Sequence, residues 1–242
     1  MLKLSKGSSL KLAKDSDALS HIIVGMGWEI AQKGKDRTVT HEVPVKSIGN
    51  FFRKLFGCTL VTKTVTEVVR PRSNFEYDLD ASCALFDSAN RIISYNDEGK
   101  TKDACVFYNN KKLAGISHGG DNLTGSDGLH DDETIDIHLD KVFANTSTIA
   151  IFMNIYQAKE RKQSFADLTK AYLRIVNAEN GEEMCRYDLT QFNEDHTALV
   201  LGFITRDDTG WTFTAIGEST YGNFPSEVTT QIPKLIKQQK TK

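Results

Sequence analysis

Apolar and polar residues alternate along much of this chain in short runs. Ile22, Val24, Met26 and Trp28 occupy every second position, as do Ile135, Ile137 and Leu139, and again Trp211, Phe213 and Ala215. A period of two sets the apolar side chains on one face of a strand, so each run predicts a strand with one buried side. The runs Ile149–Ile155 and Ala198–Ile204 are continuously apolar and predict strands covered on both faces. Glycine, asparagine and aspartate punctuate nearly every interval. These signals predict an all-β fold, a two-sheet antiparallel β-sandwich with one or two short helices. A helix is expected over Ser164–Tyr172, where Phe165, Leu168 and Tyr172 follow helical spacing and Ser164 stands as N-cap.

The sandwich is expected to span residues 1–224 as a single domain, with an inserted hairpin or helix segment at about 33–74 and a basic tail at 225–242. The insertion begins polar and basic and ends in a threonine and valine run, Thr59–Val69, which predicts a strand or hairpin. Between them Phe51, Phe52, Leu55 and Phe56 cluster around Arg53 and Lys54, suited to packing on the sandwich or to an amphipathic turn for a partner or lipid surface. After Phe224, Val228, Ile232, Leu235 and Ile236 follow helical spacing, but Pro233 interrupts it and lysines crowd the end. A solvated tail is expected there rather than a docked helix.

A chain of 242 residues with 39% hydrophobic content can bury a sizeable core. Charged residues make up 26% and the formal net charge is −2, which gives no global reason to expect nucleic acid. No apolar stretch approaches the roughly 18 residues of a spanning helix, so no integral membrane contact is expected. Met1–Ser16 alternates lysines with leucines and lacks a signal-peptide core, which predicts a cytoplasmic protein. Cys58, Cys83, Cys105 and Cys185 are widely spaced and suit reduced, individually buried thiols. Direct thiol chemistry would need an exposed cysteine beside basic groups, and only Cys58 stands near any.

Candidate chemistry concentrates in two segments, Tyr77–Ser82 and Gly119–Glu133, which together hold seven carboxylates. Asp78 and Asp80, two residues apart on a strand, point to one face. The second segment crowds Asp121, Asp127, Asp131, Asp132 and Glu133 into 13 residues, where like charges repel unless a cation neutralises them. Oxygen donors suit a hard cation, and Gly119, Gly120, Gly125 and Gly128 let backbone carbonyls converge on it. Calcium fits better than magnesium, which holds its waters. No clustered cysteine or histidine favours zinc, and His118 and His130 are expected to be solvated loop residues. The loop departs from the EF-hand pattern, and an acidic, glycine-rich turn with no ion is the plain alternative.

At these residues the chain resembles the TerD-type tellurium-resistance proteins. The likeness runs from Tyr77–Ser82 and the Gly120–Glu133 loop to Leu4–Gly7, Ile23–Trp28, Val106–Asn110, Leu173–Asn177 and Arg186–Leu189, all in the family's order. It implies a β-sandwich that binds calcium and acts in stress response and tellurite resistance without catalysis, and the seven carboxylates would suffice to neutralise two such ions. Protein partners are implied, among them other stress-resistance proteins at the membrane, which would place the molecule in the cytoplasm or against the membrane's inner face. Carried over, the liganding positions are Asp78, Asp80, Asp121, Asn122, Asp131, Asp132 and Glu133, with Asp127 and the carbonyls of Leu123 and Gly128 as additions. Three departures stand out: Tyr77 in place of phenylalanine, one extra residue in the acidic loop, and the insertion. A metal-dependent phosphoester or nucleotide hydrolase built on the same carboxylates is the alternative. Against it, the chain has neither a phosphate-binding P-loop nor a G-x-S-x-G elbow.

Overall fold

Ile22, Val24, Met26 and Trp28 turn inward along a ten-residue strand, His21–Ile30, while Gly25 and Gly27 face the other way. In this computed structural model the described residues are 2–14, 17–30, 37–44, 62–69, 77–119, 131–192 and 195–241. The strands in chain order are β1 (Leu2–Leu4), β2 (Ser9–Lys11), β3 (Ala13–Lys14), β4 (Asp17–Ala18), β5 (His21–Ile30), β6 (Arg37–Pro44) and β7 (Thr62–Val69). There follow β8 (Leu79–Phe86), β9 (Ser94–Asp97), β10 (Lys100–Asp103), β11 (Cys105–Val106), β12 (Lys112–Leu113), β13 (Ile116–His118), β14 (Glu133–His138) and β15 (Thr148–Ile155). The last four are β16 (Leu168–Asn177), β17 (Glu183–Leu189), β18 (Ala198–Asp207) and β19 (Gly210–Thr220). The α-helices among the described residues are α1 (Ala158–Arg161), α2 (Pro225–Thr229) and α3 (Ile232–Gln239).

Two large sheets form the all-β sandwich. One runs β1-β17-β16-β5-β14-β13-β12 and the other β11-β8-β15-β18-β19-β2. Pairing is antiparallel throughout except between β1 and β17. The main core lies between the sheets, where Val24, Met26, Ile135, Leu173 and Ile175 meet Leu79, Ile151, Met153, Leu201 and Phe213. The chain divides into two compact units, one of residues 1–30 and 75–242 and the other of residues 31–74. Within the second, β6 and β7 pair from Arg37↔Val69 to Pro44↔Thr62, so the threonine and valine run forms a strand of a two-stranded ribbon. The Phe51–Phe56 cluster lies outside the described residues.

Two expectations need correction. The helix placed over Ser164–Tyr172 is a single 3-10 turn, Phe165–Asp167, with Ser164 Oγ accepting the Ala166 N–H, and from Leu168 the chain is strand. The helical spacing of Phe165, Leu168 and Tyr172 joins a 3-10 turn to a strand: Phe165 and Leu168 enter the core, whereas Tyr172 lies on the outer face beside Gly27 and Asp131, beyond a bulge between Leu168 and Lys170. The tail after Phe224 is docked, not solvated. Val228, Ile232 and Ile236 of α2 and α3 bury themselves against Ala84, Phe86, Phe152, Val200 and Phe203, the outer face of the six-stranded sheet. Pro233 lies in the first turn of α3, where its missing N–H costs no helical hydrogen bond. No helix among the described residues is long and apolar enough to cross a membrane.

Candidate metal centre

Alternation along β8 sorts the first acidic segment. Leu79, Ala81 and Cys83 enter the core between the sheets, so Asp80 and Ser82 share the outer face with Ala84 and Phe86. Asp78 and Asp80 are both buried, Asp80 with only 3% of its surface exposed. Arg161, at the end of α1, brings Nη1 to 3.4 Å from Asp78 Oδ2. Directly across the ladder from Asp80 is Asn154 of β15, on the same face. Asn154 is fully buried, and its Nδ2 donates to the Asn223 carbonyl at 3.3 Å. Its Oδ1 and the Oγ of Ser82 have no hydrogen-bond partner among the described residues. The Tyr77 hydroxyl, which replaces a plain aromatic edge, is satisfied by donating to Asp167 Oδ2 at 2.5 Å.

Aromatic side chains line the same end. Tyr108 meets Tyr156 edge-on at 5.6 Å, and Tyr156 meets Phe224 likewise at 5.8 Å. Burial first, then Tyr156, Asp80 and Asp78, hold the Tyr108 hydroxyl above its ordinary pKa. An open groove of about 500 Å³ is lined by Phe107, Tyr108, Phe224 and Pro225.

The second acidic segment ends elsewhere. Asp131 lies over Gly25 on the outer face of the seven-stranded sheet, where any Cβ on Gly25 would fall within 2.6 Å of the carboxylate. Arg174 grips it through Nε and Nη2, at 2.8 and 2.7 Å, and the Tyr172 hydroxyl donates to it at 3.0 Å. Hydrogen bonding to Asp131 raises the pKa of Arg174, and burial together with Asp131 raises that of Tyr172. Asp132 Oδ2 accepts the Trp28 N–H at 2.8 Å. Glu133 crosses between the sheets to accept the Ala81 N–H at 2.5 Å, and the Ala81 carbonyl accepts from His118 Nε2 at 3.1 Å.

The five described carboxylates of the two segments are therefore spread out: Asp78 and Asp80 outside one sheet, Glu133 between the sheets, Asp132 on the Trp28 backbone of β5, and Asp131 outside the other sheet. Asp121, Asn122, Leu123, Asp127, Gly128 and His130 lie outside the described residues. His118, expected to be solvated, is instead buried and spans the sheets, because β13 places it on the inward face beside Ile116. Sequence reasoning missed Asn154 and Arg174. Each had a signal, since one is a polar residue inside the otherwise apolar Ile149–Ile155 run and the other an arginine between two inward-facing apolar positions. Cys83, Cys105 and Cys185 are buried, and burial pushes the Cys83 and Cys185 thiols up to about 12.

The TerD domain model matches residues 1–229. The chain is 34% identical over 221 residues to the stress response protein SCP2 of Bacillus subtilis (strain 168), a match covering 90% of this chain and 92% of that one. It is 33% identical over 237 residues to the tellurium resistance protein TerZ of Serratia marcescens, covering 98% and 99%. Among solved structures, a homologue of a telluride resistance protein (TerD) from Streptomyces coelicolor A3(2) superimposes with a TM-score of 0.54 at 14% identity, over 89% of this chain and 98% of that one. Matched along nearly its whole length, the chain belongs to the TerD family of tellurium-resistance and stress-response proteins.

Proposed function

We propose that the protein is a calcium-binding, non-catalytic module of the stress response that acts on protein partners through loops ordered by the cation. The observation that carries this reading is the buried oxygen cluster on the outer face of β8. Asp78 and Asp80 lie beside Asn154, whose Oδ1 is fully buried without a hydrogen bond among the described residues. An all-oxygen donor set of carboxylates and an amide carbonyl fits a hard cation such as calcium. Asp78, Asp80 and Asn154 would hold it, with oxygens of Asp121, Asn122, Leu123, Asp127 and Gly128 completing the shell or binding a second ion. Asp131, Asp132 and Glu133, each hydrogen-bonded to Arg174 or to a strand backbone, fix the exit of that loop.

Tyr108 links the cation to the partner. It lines the aromatic groove and packs edge-on against Tyr156, whose backbone N–H donates to the Asp78 carbonyl, so ordering of the Asp78 segment by the cation bears on the groove through packing. The test is calcium titration by calorimetry on chelator-stripped protein. Saturable binding that is lost in Asp78→Asn/Asp80→Asn supports the site, and no heat above that of the variant sinks it. Equal capture of partners with calcium and with chelator would remove the calcium-gated part of the reading.

A further inference from the structure

On the outer face of the seven-stranded sheet two histidines and an aspartate converge. His21 of β5 and His138 of β14 stand directly opposite each other in the antiparallel ladder, and Asp136 is two residues from His138 on the same face. The two imidazoles stack with centroids 3.9 Å apart and planes 15° from parallel. Both Nε2 atoms face one carboxylate, His21 at 2.8 Å from Asp136 Oδ2 and His138 at 3.8 Å from Oδ1. One donor atom from each of the three residues lies within 4.8 Å of the other two. A quarter to a third of each side chain is exposed, so an ion has access from solvent.

We propose that His21, Asp136 and His138 form a binding site for a divalent transition-metal ion of the zinc class. Two imidazole nitrogens and a carboxylate oxygen are the donors such an ion prefers, and three protein ligands leave one position for water. Calcium, which takes six or more oxygens, is disfavoured by the same set. No run of clustered histidines announces the site, because the β5–β14 ladder assembles it. Lys141 Nζ lies 3.5 Å from the far nitrogen of His138, Nδ1. Metal on Nε2 puts the imidazole proton on Nδ1, so Lys141 must swing outward on its exposed stem when the ion binds.

The test is zinc titration by calorimetry on the chelator-stripped full chain in excess calcium, which keeps the proposed calcium centre separate. One saturable zinc site is expected. His138→Phe keeps an aromatic ring stacked on His21 but removes the donor, and should weaken zinc roughly tenfold or more while leaving the calcium titration and the melting temperature unchanged. Lys141→Gln should tighten zinc binding. Absence of saturable zinc uptake, or uptake equal in His138→Phe and Asp136→Asn to that of the parent protein, overturns the proposal, the second outcome by assigning the ion to other side chains.

Discussion

Glu133 on one sheet accepts the backbone N–H of Ala81 on the other. The β8–β11 ladder stops at Cys83↔Val106, and beyond that point Glu133 and His118 take over both hydrogen-bonding groups of Ala81. The side chains thus close a sheet edge that would otherwise bury unsatisfied backbone. Glu133→Ala should destabilise the fold by about 2 kcal/mol, since a buried donor loses a charged acceptor, and Glu133→Gln by about half that. Urea unfolding of the two variants measures the difference, and equal midpoints for parent and Glu133→Ala would refute it.

Arg174 and Asp131 form a second structural pair. Arg174 is 32% exposed while Asp131 is 8% exposed, so removing the arginine strands the more buried partner. Arg174→Ala should cost about 2 kcal/mol, below the range for fully buried pairs because solvent screens the guanidinium side. Arg174→Lys should recover less than half of this loss, because an ammonium cannot reproduce the two-pronged contact. Denaturant midpoints of the two variants check both statements.

How far the fold could be read from the sequence follows from where its period was kept. β5 and β19 hold a clean alternation, so their inner faces were legible, as was the sandwich. Phe165, Leu168 and Tyr172 misled because their spacing spans a 3-10 turn and both faces of the strand that follows it. The tail failed for a different reason. Ile149–Ile155 and Ala198–Ile204 declared that both faces are covered, yet nothing local says that Val228, Ile232 and Ile236 provide the cover. The candidate centre was legible at Asp78 and Asp80. Asn154 and the His21–His138 pair required the strand register, which no single segment contains.

The buried thiols give a prediction about alkali. Burial raises Cys83 and Cys185 from 9.0 to about 12, so the folded state favours the protonated form. A pKa raised on folding contributes stability that is complete below the unfolded value and fades as pH climbs towards the folded one. Stability should therefore fall between about pH 9 and 12, with Tyr172 and Tyr108, also raised, acting in the same direction. In a Cys58→Ser background no thiol should react with Ellman's reagent at pH 8 until the protein unfolds. Prompt reaction of one or more thiols would show that the packing around them is open.

Ile236 on α3 is almost wholly buried against the outer face of the six-stranded sheet. Ile236→Ala should destabilise by about 2–4 kcal/mol through lost transfer energy and a residual cavity. Deleting residues 225–242 should do more, exposing a contiguous apolar face around Phe152, Val200 and Phe203 and driving association. Light scattering and melting temperature of the truncation measure this, and an unchanged monomeric protein would mean the helices are dispensable.

Asn154 and Asp80 separate stability from ion binding. In the absence of calcium, the carboxylates of Asp80 and of Asp78, the latter beside Arg161, share one buried face with the Asn154 amide oxygen, which has no hydrogen bond among the described residues, and the two like charges raise the energy of the empty fold. Asp80→Asn should therefore raise the melting temperature of chelator-treated protein while abolishing the rise produced by calcium. For the parent protein, calcium at about 100 times its dissociation constant should add about 2.7 kcal/mol. Asn154→Leu removes the amide oxygen at similar volume and gives up the hydrogen bond to Asn223, so the calcium-free protein should change little while the calcium increment shrinks. A full calcium increment in both variants would place the ion elsewhere and return Asp78 and Asp80 to a purely structural role.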